Sequence, residues 1–148
     1  VNMPEITKRP LVVDEVIIKK IQVVSGNIDI TGDGFTLGTV VTTKDGGSNW
    51  NIQDKPIFTT GTYSQDDEVF HNGSIWISLE DNNLTEPKDD AIKWQEVEKF
   101  DANGILLENV TETGSVAVLI TGEVREKYLE HYDSSMKKAL FKNKIILR

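Results

Sequence analysis

Through most of the chain apolar and polar residues alternate with a period of two, and the alternation is broken by glycine-rich punctuation. Residues 15–24, EVIIKKIQVV, predict a β-branched strand of nearly ten residues. Ser25-Gly26-Asn27 predicts a turn, and in ITGDGFTLGTVVTT, Gly32, Gly34 and Gly38 mark a short loop before a second strand. KDGGSNWNI reads as a hairpin tip at Asp45-Gly46-Gly47. Further on, Ile75, Ile77 and Leu79 alternate with Trp76, which puts Trp76 on the opposite face of a strand from three aliphatic residues. A polar loop then closes on a strand around Trp94, and NGILLENV and GSVAVLITGEV predict two more strands.

Only after Arg125 does the period change. Tyr128, Leu129, Tyr132, Met136, Ala139 and Leu140 recur at three- and four-residue steps, which predicts one or two amphipathic helices before a last strand at KIILR. The opening VNMPEITKRPLVVDE, with Pro4 and Pro10 and mixed charge, predicts an extended arm over residues 1–15. Many strands, a short helix and a closing strand make a mainly β, α+β chain. The expected shape is a small β-barrel-like domain with a short C-terminal helix.

Length and composition narrow the classes. The 148 residues suffice for one domain with a real core, and 38% apolar content allows folding without staples. With no cysteine, disulfides, thiolate metal sites and Cys nucleophiles are excluded. The net charge is −8 and the basic residues predict no dense face, which argues against nucleic acid as a partner. No apolar run reaches the roughly 18 residues that cross a bilayer, and no signal-peptide pattern precedes the first strand, so no membrane role is expected. The first residue is Val1, which leaves open whether residues precede it.

Catalytic signatures are missing from the pattern. The two histidines, His71 and His131, are sixty residues apart and share no metal-ligand spacing. There is no G-x-S-x-G elbow and no phosphate loop, and Gly32-Asp33-Gly34 is a turn with no helix pattern after it. Asp66, Asp67 and Glu68, and later Asp89 and Asp90, are adjacent acids in polar loops rather than two carboxyls facing across a cleft. Asp81, Asn83 and Thr85 alternate as calcium ligands do, but the central Gly and the closing Glu of such a loop are lacking. The Asn-x-Thr sequons at Asn83 and Asn109 matter only in a glycosylating host. The expectation is a non-enzyme with no catalytic residue, no metal ligand and no cofactor.

One stretch departs from the rest. Residues 61–78, GTYSQDDEVFHNGSIWIS, gather Tyr63, Phe70, His71 and Trp76 around three acids and an Asn-Gly turn. On either side of it, Gly38-Thr39-Val40, Gly104 to Val110, Val116 to Val124 and Ile145 to Arg148 follow in an order that resembles the head decoration proteins of tailed bacteriophages. The resemblance spans about two-thirds of the chain and lies in the order and spacing of ordinary strands. It implies a β-rich virion protein on the outer capsid surface, with the major capsid protein and itself, as a homotrimer, for partners, clamping the shell against internal pressure. A projecting head fibre is a close variant. The arm with Pro10, Leu11, Val12 and Val13 is the expected capsid-binding element, since an extended segment before a β-branched strand can add to a neighbour's sheet edge.

The intervening segment resembles the small chitin- and cellulose-binding modules of secreted glycosidases. Tyr63, Asp67, Val69, Gly73, Trp76, Ser78, Pro87 and Trp94 match that pattern, while Asp66 replaces a glycine and His71 an aromatic ring. The match implies a carbohydrate site at Trp76, Trp94, Tyr63 and His71, with cell-surface polysaccharide as a further partner and at least one exposed ring for stacking on sugar. The expected organisation is a decoration domain of residues 1–57 and 99–148, interrupted by an inserted module of residues 58–98. The alternatives are a carbohydrate-binding accessory domain of a secreted glycoside hydrolase and a tail or baseplate adhesin.

Overall fold

The computed structural model describes residues 11–30, 32–88 and 92–148. In chain order the elements are a helical turn α1 (Val13–Val16), β1 (Ile17–Ile28), β2 (Val40–Val41), β3 (Asn49–Trp50), β4 (Glu68–His71), β5 (Ser74–Ser78) and β6 (Trp94–Lys99). They continue with β7 (Gly104–Leu106), β8 (Gly114–Val124), α2 (Lys137–Lys142) and β9 (Ile145–Leu147). The protein is mainly β with a short C-terminal helix.

Six strands form one sheet in the order β2-β7-β8-β1-β3, with β9 also pairing β8. The antiparallel pair β1–β8 is its spine, running from Ile17 opposite Val124 to Ile28 opposite Gly114. On the other edge of β8, β7 pairs beside Val118 and Leu119, and β9 pairs parallel to Gly122–Val124. Successive residues of β2, β7 and β8 point to opposite faces. Val40, Ile105 and Leu119 enter one apolar core, while Val41, Leu106 and Val118 enter a second. Burial on both faces explains why these strands read as unbroken apolar pairs rather than as an alternation. The sheet is not closed into a barrel. Its outer strands β2 and β3 are two residues long and are joined by a single pair, Thr42 with Asn51, whose backbones exchange hydrogen bonds of 2.8 and 2.9 Å.

A second sheet, β4-β5-β6, is antiparallel and is built wholly from residues 68–99. The chain leaves the first sheet after Asn51 and returns at Asp101, and Thr42 meets both: its backbone pairs with Asn51, and its hydroxyl donates to the Asp101 carbonyl at 2.6 Å. The ends of the interrupting segment are thus neighbours. Its packing, however, is shared with the frame. Phe70 and Ile75, opposite one another in β4 and β5, enter the same core as Val16, Leu37, Ile105 and Leu140, and Phe100 meets Phe70 edge-on at 6.2 Å.

Three local expectations are corrected. The turn expected at Ser25-Gly26-Asn27 does not form, since β1 runs straight through to Ile28 with Gly26 opposite Val116. Gly26 serves a close approach instead. A Cβ there would stand 2.2 Å from the Gly47 carbonyl oxygen and 2.5 Å from Nε1 of Trp50, and one on Gly104 would stand 2.7 Å from the other side of the same indole. The two glycines make the slot that Trp50 fills. Its N–H is buried with no acceptor among the described residues.

The helical periodicity after Arg125 also overstates the helix. Residues 126–128 and 134–136 are single 3₁₀ turns, and only residues 137–142 are α-helical. Between them Glu130 docks beside β2, donating to the Gly38 carbonyl and accepting from Val40, and His131 adopts a left-handed φ of 51°. Tertiary pairing overrides the three- and four-residue pattern there. Finally, residues 1–10 of the expected arm, Pro10 included, lie outside the described residues, and residues 13–16 are helical rather than extended. The Arg125 guanidinium holds that turn by donating to the carbonyls of Asp14 and Glu15 at 3.1 Å.

Candidate functional site

The aromatic stretch is organised by the hairpin β4–β5. Asn72 and Gly73 both take positive φ, 49° and 82°, as a two-residue turn between twisted strands requires. With the turn fixed, Val69 stands opposite Trp76 on one face, and Phe70 stands opposite Ile75 on the other. The second face goes to the shared core. The first is closed by Trp94 from β6, with Phe58 and Tyr63 packed over it from the incoming loop.

The rings in this nest are mutually oriented. Phe58 stacks on Tyr63 at 5.5 Å and meets His71 edge-on at 4.9 Å, and Tyr63 meets Trp94 edge-on at 5.3 Å. Their polar atoms bond inside the protein. Trp76 Nε1–H donates to the His71 carbonyl at 3.1 Å, Trp94 Nε1–H to the Thr85 carbonyl at 2.9 Å, and the Tyr63 hydroxyl to the Thr59 carbonyl at 2.7 Å. His71 Nε2 lies 2.8 Å from Glu86 Oε1.

The long polar loop between β5 and β6 is tied down by Asn83, which is fully buried. Its amide donates to Ser78 Oγ and the Lys93 carbonyl, and its oxygen accepts from the backbone N–H and hydroxyl of Thr85. Asn83 is therefore an internal staple, and its side chain is not presented for glycosylation.

The expected sugar-stacking residues thus come together, but as a core. Trp76 is 5% exposed and Trp94 3%, and Tyr63 and His71 are partly buried. The expectation of an exposed indole is corrected for both tryptophans, because each ring caps the small sheet that the hairpin creates. Beside Trp76 lies a shallow polar cleft of about 350 Å³ whose walls include Asn72, Ser74, Glu96 and Lys99. Of the residues expected to meet a capsid, Pro10 lies outside the described residues, Leu11 and Val13 are partly buried against the shared core, and Val12 is exposed.

Several features escaped the sequence reading. Phe58 precedes the aromatic stretch yet meets two of its rings, Tyr63 and His71, and Trp94 beyond it. Residues 18–23 of β1 are exposed, with Ile18, Ile21 and Val23 among them, and beyond the Asn27–Asn49 and Ile28–Trp50 pairs that edge of β1 has no partner strand among the described residues. On α2, Lys137, Lys138 and Lys142 are exposed together with Phe141. The run KKALFKNK is the signal that would have marked them.

Near α2 the Tyr132 hydroxyl donates to Glu126 Oε2 at 2.6 Å. Burial, and then this bond, push the phenol above its ordinary range, while the same bond holds the Glu126 carboxyl below its own. Among the described residues no three His, Asp or Glu side chains gather to hold a metal ion, and no helix is long and apolar enough to cross a membrane. Compared with protein-family models, with curated proteins and with solved structures, the chain has no significant match.

Proposed function

We propose that the chain is a non-enzymatic virion protein that binds the outside of a tailed-phage capsid and stabilises the shell. The observation that carries this reading is the placement of the segments on which the resemblance rests. Val40, Gly104–Leu106, Val116–Val124 and Ile145–Leu147, though the first two are more than sixty residues apart in the chain, lie side by side in one sheet as β2, β7, β8 and β9. The unpartnered stretch of β1 fits the same role. Asn27 donates its N–H toward β3, so Ser25 and Val23, at alternate positions, point theirs toward the same open edge. A strand of a capsid subunit can add there through its backbone, with Ile18, Ile21 and Val23 supplying apolar contact.

The experiment is titration of purified protein onto undecorated heads. Saturable binding that raises the temperature of head disruption is expected, and Val23→Pro, which removes a donor at the open edge, should weaken it. Absence of saturable binding overturns the reading.

A further inference from the structure

Charge is distributed unevenly along this chain. Residues 58–98 hold ten of the 24 acidic residues and two of the 16 basic ones, so the whole net charge of −8 falls on them and the flanks are neutral. Residues 134–148 hold five basic side chains and no acidic one. Each concentration carries apolar surface. On α2, Phe141 is 67% exposed beside Lys138 and Lys142. At the far tip of the small sheet, Leu84 and Ile92 are 70% and 87% exposed in the loop that holds Glu80 and Asp81, where Glu80 pairs with Lys93 at 3.0 Å in an exposed and weak contact.

The tip is a built surface. Leu79 N–H donates to the Lys93 carbonyl, Asp66 N–H to the Ser78 carbonyl and Gln65 N–H to Asp81 Oδ1, which draws the three loops together. Among the described residues the two surfaces do not neutralise each other within one molecule. The Asn72-Gly73 turn abuts Ser135, just before α2, whereas the acidic tip begins at Ser78, the other end of β5. Five residues of strand separate them, about 16 Å. Among the described residues, Lys137 and Lys142 of α2 pair with frame acids, Glu126 at 3.4 Å and Asp101 at 3.8 Å, and both pairs are exposed and weak.

We propose that the Phe141–lysine face of α2 docks on the acidic, leucine-bearing tip of a second copy of this chain. The two patches match in sign and each offers apolar surface to the other, which a contact between unlike patches requires. Such a contact joins copies head to tail and closes into a ring when the rotation between them divides a full turn. The inference rests on the reading of the protein as a self-associating shell component, but its test uses no capsid, so either can fail alone.

The test is sedimentation velocity of the full chain at about 50 mM and about 500 mM salt, since exposed charges are screened within about 4 to 14 Å over that range. Low salt should favour an oligomer and high salt should weaken association about tenfold or more. Lys138→Glu with Lys142→Glu, and separately Glu80→Lys with Leu84→Lys, should each abolish the oligomer, and mixing the two variants should restore association. Phe141→Ser, at an exposed position, keeps the charge and should weaken association with an unchanged melting curve. A monomer at low salt overturns the proposal, as does an oligomer that survives both reversals. So does a basic-face variant that loses binding to duplex DNA while the wild type never self-associates.

Discussion

The two tryptophan-centred cores solve one problem in different ways. In the small sheet, Trp76 and Trp94 are closed over by loops, and each indole N–H finds a backbone carbonyl nearby. In the large sheet, Trp50 lies in a slot between Gly26 and Gly104, and its N–H finds none among the described residues. The first core is assembled from a contiguous stretch of chain and satisfies its own polar groups. The second is assembled from strands far apart in sequence, where close apolar fit is the main stabiliser, and an unmade hydrogen bond costs about 1–3 kcal/mol. Contiguity in sequence does not make the small sheet independent, because its other face is part of the frame's core.

The largest expected effect tests that dependence. Phe70 is fully buried where the two sheets meet, so Phe70→Ala should cost about 3–5 kcal/mol. Calorimetry should show one cooperative transition moving to lower temperature. Two separate transitions, with only one shifted, would instead make residues 58–98 a self-contained module. Trp76→Ala belongs to the same size class, and replacing residues 59–97 by a Gly-Ser bridge should leave no cooperative fold, since it strips Phe70 and Ile75 from the shared core. If Trp76→Ala leaves the melting curve unmoved and removes polysaccharide binding, the ring is a sugar platform and not the centre of a core like that of Trp50.

A middle-sized effect concerns the slot. Gly26→Ala places a methyl against the Trp50 indole and the Gly47 carbonyl and should cost about 1–3 kcal/mol. Trp50→Phe opens space and has its own cavity cost. The double variant should lose less than the sum of the two, because the smaller ring relieves the indole part of the clash while the part against the Gly47 carbonyl remains. Chemical denaturation of the four proteins gives the coupling directly. Strict additivity would mean that Gly26 does not make room for Trp50.

Strands were legible where one physical rule governed them. Residues 114–124 and 145–147 are strands as the pattern predicts, because burial rewards β-branched residues there and nothing competes. Gly26 was misread because a glycine in a strand and a glycine in a turn look alike until the ring filling the vacant side is known. The residues after Arg125 kept a helical spacing while Glu130 paired with Gly38 and Val40, a contact ninety residues away in sequence. At the candidate site, proximity of Tyr63, His71, Trp76 and Trp94 was legible and direction was not. Alternation puts Trp76 opposite Ile75, but both faces of this sheet are covered, and the covering residues Phe58 and Phe100 lie outside the stretch that drew the eye.

The smallest effect lies at the turn that delivers Trp50 to its slot. The Asp45 carboxylate accepts the Asn49 side-chain amide at 2.9 Å, the Asn49 backbone N–H at 3.0 Å, the Thr43 hydroxyl at 2.8 Å and the Ser48 N–H at 3.1 Å. These donors, led by Asn49, lower its pKa from 3.8 to about 2. The folded value lies below the unfolded one, so the charged turn contributes stability that is fully present above about pH 4 and is lost as pH falls toward 2. Asp45→Asn removes the titration but keeps a side chain that tolerates the turn. Urea midpoints for wild type and variant should therefore differ by a constant amount above pH 4 and converge between pH 4 and 2. A gap that stays constant to pH 2 would mean that the carboxylate is not what holds the turn, and that Trp50 is positioned by its glycine slot alone.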